Sequence, residues 1–501
     1  MTPYQSLERL FIRLRALGDA AGILGWDAQT LMPTGAAEGR AEQLATLRGL
    51  SHELLVAPQT ADLLDAAEAR DTDLDPWQGA NLREMRRSHA HASAVPGDLV
   101  KAESKASSTA EMVWREARAT SDFALLEPHL AEVLRLARAV GEAKGAALGL
   151  APYDALLDQY DPGLRRARID PLFDRLRAEI PGLIAEARER QARLGALPRF
   201  TGPFPVAAQR AVGESLMRTL GFDFERGRLD TSLHPFCGGA TDDVRITTRY
   251  DEGDFTRSLM GVVHETGHAL YEQGRPKVWL SQPVGDARGM TLHESQSLLM
   301  EMQACRTPEF IRHLAPVLAG AFGSEAAGLD PETLYRVYTH VEPGFIRVDA
   351  DECTYPAHIL LRYDLERAMV DGDLAVADLP GAFDAGMKDL LGLDVPDDAR
   401  GCLQDIHWPG GAFGYFPTYT LGAVAAAQLF AAATTADPDI RPGLARGDVV
   451  PLLAWLRAKV HQHGSSLSTD EIMAGATGRP LGIDAYLAHL RRRYLGETAA
   501  A

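Results

Sequence analysis

The sequence predicts a large, mainly α-helical protein with a small β-sheet beside a metal motif, and three observations predict it. Apolar residues recur at spacings of three and four through residues 6–150, in a background rich in Ala, Leu, Arg and Glu. One stretch, HPFCGGATDDVRITTRY at residues 234–250, alternates instead and carries Val244, Ile246, Thr247 and Thr248, a strand signature. Directly after it, GVVHETGHALYEQG at residues 261–274 reads as a helix holding an H-E-x-x-H core, with Gly274 and Pro276 as its stop.

Whole-chain quantities set the bounds. At 501 residues the chain can bury one large core or several smaller ones. We expect one catalytic domain over 1–501, with a helical part at about 1–230 and a metal-bearing part at about 231–501. A formal charge of -18 argues against a protein that grips phosphate backbones, so no nucleic-acid partner is expected. The N-terminus has helically spaced apolar residues rather than one apolar run, unlike a signal peptide. The longest apolar stretch, residues 421–433, contains Gln428 and falls short of a membrane span. Cys237, Cys305, Cys353 and Cys402 stand far apart without a C-x-x-C pair, which suits reduced core thiols. A cytoplasmic protein without membrane partners is the expectation.

In chain order, Trp26-Asp27 and Met32-Pro33-Thr34-Gly35 break the first helical hairpin, and Asp75-Pro76 and Val95-Pro96-Gly97 mark further turns. Residues 153–163, YDALLDQYDPG, form a short helix with a Pro-Gly stop; helices follow at 171–194 and 206–220, with a loop at 198–205 between them. The alternating stretch then supplies a strand. It serves either as an edge on which an extended peptide pairs or as a small structural sheet. Residues 290–306 return to helix, and the tail from 418 to 501 reads as further helices.

The chemistry concentrates in the H-E-x-x-H helix. Spacing of i, i+4 puts His264 and His268 on one face, one turn apart, where both imidazoles can hold a single tetrahedral metal ion, most often zinc. Glu265 follows the first histidine, placed to act as base on a water whose pKa the metal lowers from ~15.7 to about 7. Small residues at Gly261 and Gly267 leave room for a backbone or a substrate to approach. A third protein ligand must come from elsewhere, because Tyr271 and Gly274 occupy the Gly and His places of the longer H-E-x-x-H-x-x-G-x-x-H motif. Glu294, on the next helix, is the candidate; Glu301 is its rival, better suited to orienting a histidine.

These residues belong to a wider pattern. HPF at 234–236, D-x-R-x-T at 243–247, HETGH at 264–268, HESQS at 293–297, IRVDAD at 346–351 and GCLQDIHW at 401–408 occur in this order. In them the chain resembles the metallocarboxypeptidases of family M32, the thermostable carboxypeptidase Taq type. The resemblance implies a helical gluzincin-type fold with a deep groove between two helical halves. It implies zinc or cobalt on His264, His268 and Glu294, a homodimer, and release of single residues from free peptide C-termini with broad side-chain tolerance. It favours Arg347 as the guanidinium that receives the terminal carboxylate, where spacing alone leaves Arg245 and Arg347 level. Asp349 and Asp351 are candidate partners for Arg347. His234, His407 and Tyr415 are candidates for the oxyanion and the catalytic step; Tyr419 and Gln404 are candidates for substrate contact.

Two rival readings remain open. An oligopeptidase or dipeptidyl carboxypeptidase on the same scaffold differs by product size. A catalytically silent metal-binding scaffold has no need of Glu265 beside the first histidine.

Overall fold

The computed structural model describes residues 1–197, 200, 202–326 and 328–497; parts of the loop expected at 198–205, and residues 498–501 of the tail, lie outside them. The chain forms two compact units. The first comprises Met1–Ala92, Leu197–Tyr338 and Gly422–Gly482; the second comprises Ser93–Ala196, Thr339–Leu421 and Ile483–Ala501. Both are built mainly of helices, as the periodicity predicts.

In the first unit the chain opens with the helix Pro3–Thr30, started by a capping box in which Thr2 and Gln5 satisfy each other's backbone N–H groups. Trp26 and Asp27 do not break this helix. The break falls at Leu31, because Pro33 cannot continue the turn, and Trp26 is instead a buried helical residue with its ring 5.0 Å from Phe236. The helix Val206–Leu220 ends at Gly221, in the left-handed region at φ 95°. It packs Val212, Leu216 and Leu220 into a core shared with Leu259, Val263 and Leu270 of the helix Phe255–Gly274.

The strand signature is real and sits inside a three-stranded sheet. Strand β1 is Gly227–Thr231, β2 is Cys237–Ala240 and β3 is Asp243–Thr248, in the order β1-β3-β2. β1 runs parallel to β3 with Leu229 opposite Ile246, and β2 runs antiparallel with Gly238 opposite Arg245. Val244 and Ile246 face a small core with Leu229, Val262 and Ala269, so the sheet rests on the motif helix. Strand β3 therefore has no free edge; its backbone is paired on both sides. β1, with the short sequence GRLDT, carries too little alternation to announce itself.

The apolar stretch at 421–433 belongs to a longer helix, Pro417–Ala436. By length and composition this helix is apolar enough to cross a membrane, contrary to the shorter reading, but Ala425, Ala426, Leu429, Phe430 and Ala433 are buried in the first unit's core. Its apolarity is used on packing.

In the second unit, Gly97–Thr120, Phe123–Leu148 and Pro152–Tyr160 form successive helices, followed by Arg166–Ala192. Leu126, Leu130, Val133, Leu156, Phe173 and Leu176 are buried at helical spacing. The helix Tyr355–Asp371 is buried along most of its length, with the charged Arg362 and Glu366 fully enclosed. All four cysteines are free thiols, and Cys305, Cys353 and Cys402 are buried.

Candidate metal centre

The motif helix Phe255–Gly274 starts at Asp254, whose side chain accepts from Thr256 N at 2.8 Å. Its following partner is the helix Gly289–Leu298, and the two cross at Gly267. A Cβ on Gly267 would stand 2.4 Å from Gln296 O and 2.6 Å from Ser297 Cα, so the backbones approach as closely as they do because that residue has no side chain. Gly261, by contrast, meets no backbone, with Thr248 Oγ1 at 4.0 Å as its neighbour. The crossing sets Glu294 against the two motif histidines. Gly422, on the helix Pro417–Ala436, closes the far side, its missing Cβ 2.7 Å from Glu294 Cβ and Cγ.

One ligand atom each from His264, His268 and Glu294 lies within 4.8 Å of the others. Glu294 Oε2 is 3.3 Å from His268 Nε2 and 3.9 Å from His264 Nε2. Both Nε2 atoms thus face one carboxylate, while both Nδ1 atoms are occupied behind: His264 Nδ1 by Glu301 Oε2 at 2.9 Å, and His268 Nδ1 by His293, with its carbonyl oxygen at 3.1 Å. Engagement of the rear nitrogens leaves the front nitrogens for an ion, so this donor set fits a divalent metal. Glu301 lies in a π-helical turn, Leu299–Cys305, and is backed by an ion pair with Arg306.

Among the protein groups, the site divides its charges. Burial pulls His264 down, but Glu294 and Glu301 outweigh it and push the imidazole up to about 10. Burial holds His268 down at about 4. Glu294 stays ionised, held at about 2 by His264 and His268 against the cost of burial. Burial, opposed by His264 and reinforced by Glu294, pushes the Glu265 carboxyl up to about 7, the range a general base and acid needs near neutral pH.

The remaining candidates fall into two groups. His234 is exposed between β1 and β2, its carbonyl accepting from Ser232 Oγ at 2.5 Å. Arg245 pairs with Asp243, two residues back on the same strand face, and its guanidinium lies 5.9 Å from the Trp26 ring. Thr247, next along that face, accepts from Phe236 N at 3.0 Å and ties the HPF turn to β3.

In the second unit, Arg347, Gln404, His407, Tyr415 and Tyr419 come together. Gln404 Oε1 accepts from Arg347 N at 2.8 Å, and the Arg347 guanidinium lies 5.1 Å from the Tyr419 ring. Tyr419 Oη is 3.2 Å from His407 Nε2, and the His407 and Tyr415 rings are 5.8 Å apart. Arg347 is held by Asp405 at 2.7 Å, whose other oxygen accepts from Arg362 at 2.6 Å, and by Tyr355 Oη at 2.7 Å. Asp351, expected beside Arg347, instead accepts from Cys353 N and Thr354 N, at the start of the helix Tyr355–Asp371. Asp405 was missed although it adjoins Gln404 in the GCLQDIHW motif: nothing local marks it as a partner of a residue 58 positions away. Burial pushes His407 down to about 4, leaving a neutral imidazole.

A family model described as carboxypeptidase Taq (M32) metallopeptidase matches residues 6–494. The chain is 38% identical to a protein named thermostable carboxypeptidase 1 from Thermus thermophilus, over 99% of each chain. It superposes on the structure of Trypanosoma cruzi metallocarboxypeptidase 1 with a TM-score of 0.96 and 42% identity, covering 98% of this chain and 99% of that one. An M32 carboxypeptidase from Deinococcus radiodurans superposes with a TM-score of 0.94 and 37% identity, over 98% of both.

Proposed function

This chain belongs to the carboxypeptidase Taq (M32) metallopeptidase family and is a metal-dependent carboxypeptidase, and from that premise we propose that it removes single residues from the free C-termini of peptides, with His264, His268 and Glu294 holding zinc and Glu265 moving the proton. The observation that carries the reading is the convergence of those three side chains, with Glu265 buried and its carboxyl near neutrality next to the first of them.

When bound, the divalent ion supplies Lewis acidity, polarising a carbonyl and making water nucleophilic near pH 7. Glu265, the neighbour of His264 on the motif helix, takes a proton from the attacking water and returns it to the leaving amine. Arg347, kept cationic and aimed by Asp405 and Tyr355, receives the substrate carboxylate. Tyr419 and Gln404 border it, and the neutral His407 with Tyr415 offers donors for the developing oxyanion. His234 and Arg245 serve the substrate main chain from the β2 side. Zinc is the resident ion in this reading, cobalt a competent substitute, and side-chain tolerance is broad. The whole chain works as one catalytic domain, as a cytoplasmic homodimer acting on peptides, without nucleic acid or membrane.

The test is a product analysis of one peptide in free-acid and C-terminally amidated forms. Single amino acids from the free acid, at a rate at least 100-fold above the amide, are expected. Equal cleavage of both, or dipeptides as the first product, overturns the single-residue assignment.

A further inference from the structure

The backs of the two motif imidazoles are held by different chemistries. His264 Nδ1 meets a carboxylate, Glu301. His268 Nδ1 meets two groups that belong to one residue: the carbonyl oxygen of His293 at 3.1 Å and the ring Nδ1 of His293 at 2.7 Å. The far nitrogen of that ring, Nε2, is 2.9 Å from Glu272 Oε1. Glu272 is in turn paired with the buried Arg275 at 2.9 Å, and Arg275 with Asp286 at 2.9 Å. A line of direct contacts therefore runs from the metal-site histidine to a buried ion pair.

The line has a direction, fixed by which groups can donate. A carboxylate paired with an arginine accepts and does not donate, so the nitrogen of His293 that faces Glu272 carries the proton. A neutral imidazole has one N–H and one lone pair, which leaves the lone pair on His293 Nδ1, pointed at His268. His268 then keeps its proton on Nδ1 and presents a bare Nε2 on the side of Glu294, 3.3 Å away.

Resting on the reading that His264, His268 and Glu294 hold a divalent ion, we propose that His293 is a positioning residue: its ring Nδ1, oriented by Glu272, fixes the tautomer and ring angle of His268 and so sets metal affinity. The carbonyl of His293 is the weaker, more distant acceptor and does not suffice. Loss of an outer hydrogen-bond partner of a metal-binding histidine typically costs about 10–100-fold in affinity.

Two substitutions separate the ring nitrogens. His293→Asn keeps an acceptor where Nδ1 stands and loses the reach to Glu272; His293→Gln reaches toward Glu272 and leaves His268 with the carbonyl. Zn2+ affinity of the full chain is measured by chelator competition, on proteins whose far-UV circular dichroism without metal matches wild type, with the visible spectrum of the Co2+ form as a second readout. His293→Asn is expected to bind within about threefold of wild type, and His293→Gln about 10–100-fold more weakly with an altered Co2+ band. Glu272→Gln, which frees the His293 tautomer, is expected to lose about tenfold and carries the test if His293→Gln does not fold. Wild-type affinity in both His293→Gln and Glu272→Gln overturns the proposal, because the carbonyl alone then orients His268. Equal loss in the Asn and Gln variants overturns it as well, because the ring then acts by packing. A wild type that takes up no stoichiometric metal overturns the metal reading itself, a result distinct from any difference among the variants.

Discussion

In the proposed mechanism Glu265 carries the proton, and its substitution separates binding from catalysis. Glu265→Gln keeps size and removes the proton carrier, so kcat should fall by about 10²–10⁴ while bound metal, measured by mass spectrometry, stays at the wild-type level. Activity above a tenth of wild type would remove Glu265 from the mechanism. Two glycines carry the complementary, steric prediction. Gly267→Ala drives a methyl into Gln296 O and Ser297 Cα, backbone atoms that cannot swing aside, and should cost about 1–3 kcal/mol, read as a lowered melting temperature. Gly422→Ala presses on the Glu294 side chain and should weaken metal binding more than it lowers melting. A Gly267→Ala protein with unchanged melting would mean that the two helices separate freely. Close approach at Gly267 was anticipated from the sequence, but the approaching partner was not, since Gln296 lies on another helix.

At the scale of elements, the motif helix is fixed at its start, along one face and at its back. Asp254 caps it; Asp254→Ala removes the acceptor for Thr256 N and should cost about 1 kcal/mol of stability, with kcat retained, in denaturant titration. A variant as stable as wild type would show that the first turn is satisfied otherwise. Along one face the three-stranded sheet packs Val244 and Ile246 against Val262 and Ala269. At the back, the π turn at Leu299–Cys305 carries Glu301 to His264. The sequence announces the helix and β3, because period and strand composition are local properties. It does not announce β1, the π turn or the central place of β3, because these depend on what pairs alongside.

Across the whole molecule, stability should carry a pH dependence that originates in the second unit. Glu366 is fully buried and accepts from Tyr153 Oη at 2.7 Å, Trp408 Nε1 at 2.9 Å and Gly414 N at 2.6 Å. Burial nevertheless outweighs these donors and pushes its carboxyl up to about 7 from an ordinary value of 4.5. A raised carboxyl holds its proton in the folded chain where the unfolded chain has released it. Its contribution is full below about pH 4.5 and is lost as pH rises to about 7, on the order of 3 kcal/mol in all. Glu366→Gln has no proton to lose. The melting-temperature difference between wild type and this variant should therefore shift against wild type between pH 4.5 and 7, by scanning calorimetry; a difference that stays constant would show that the three donors keep Glu366 ionised throughout.

By itself the sequence determined the helical class, the motif helix with His264, Glu265 and His268, the strand at β3, and, through six motifs in order between residues 234 and 408, the family. Each is a matter of spacing along the chain. The tertiary structure decided that Glu294 meets both histidines, that His293 and Glu301 hold their rear nitrogens, and that Arg347 rests on Asp405 rather than Asp351. Those are contacts between residues distant in sequence. Hydrogen bonds and ion pairs act over a few ångströms, and only folding brings such residues within that range.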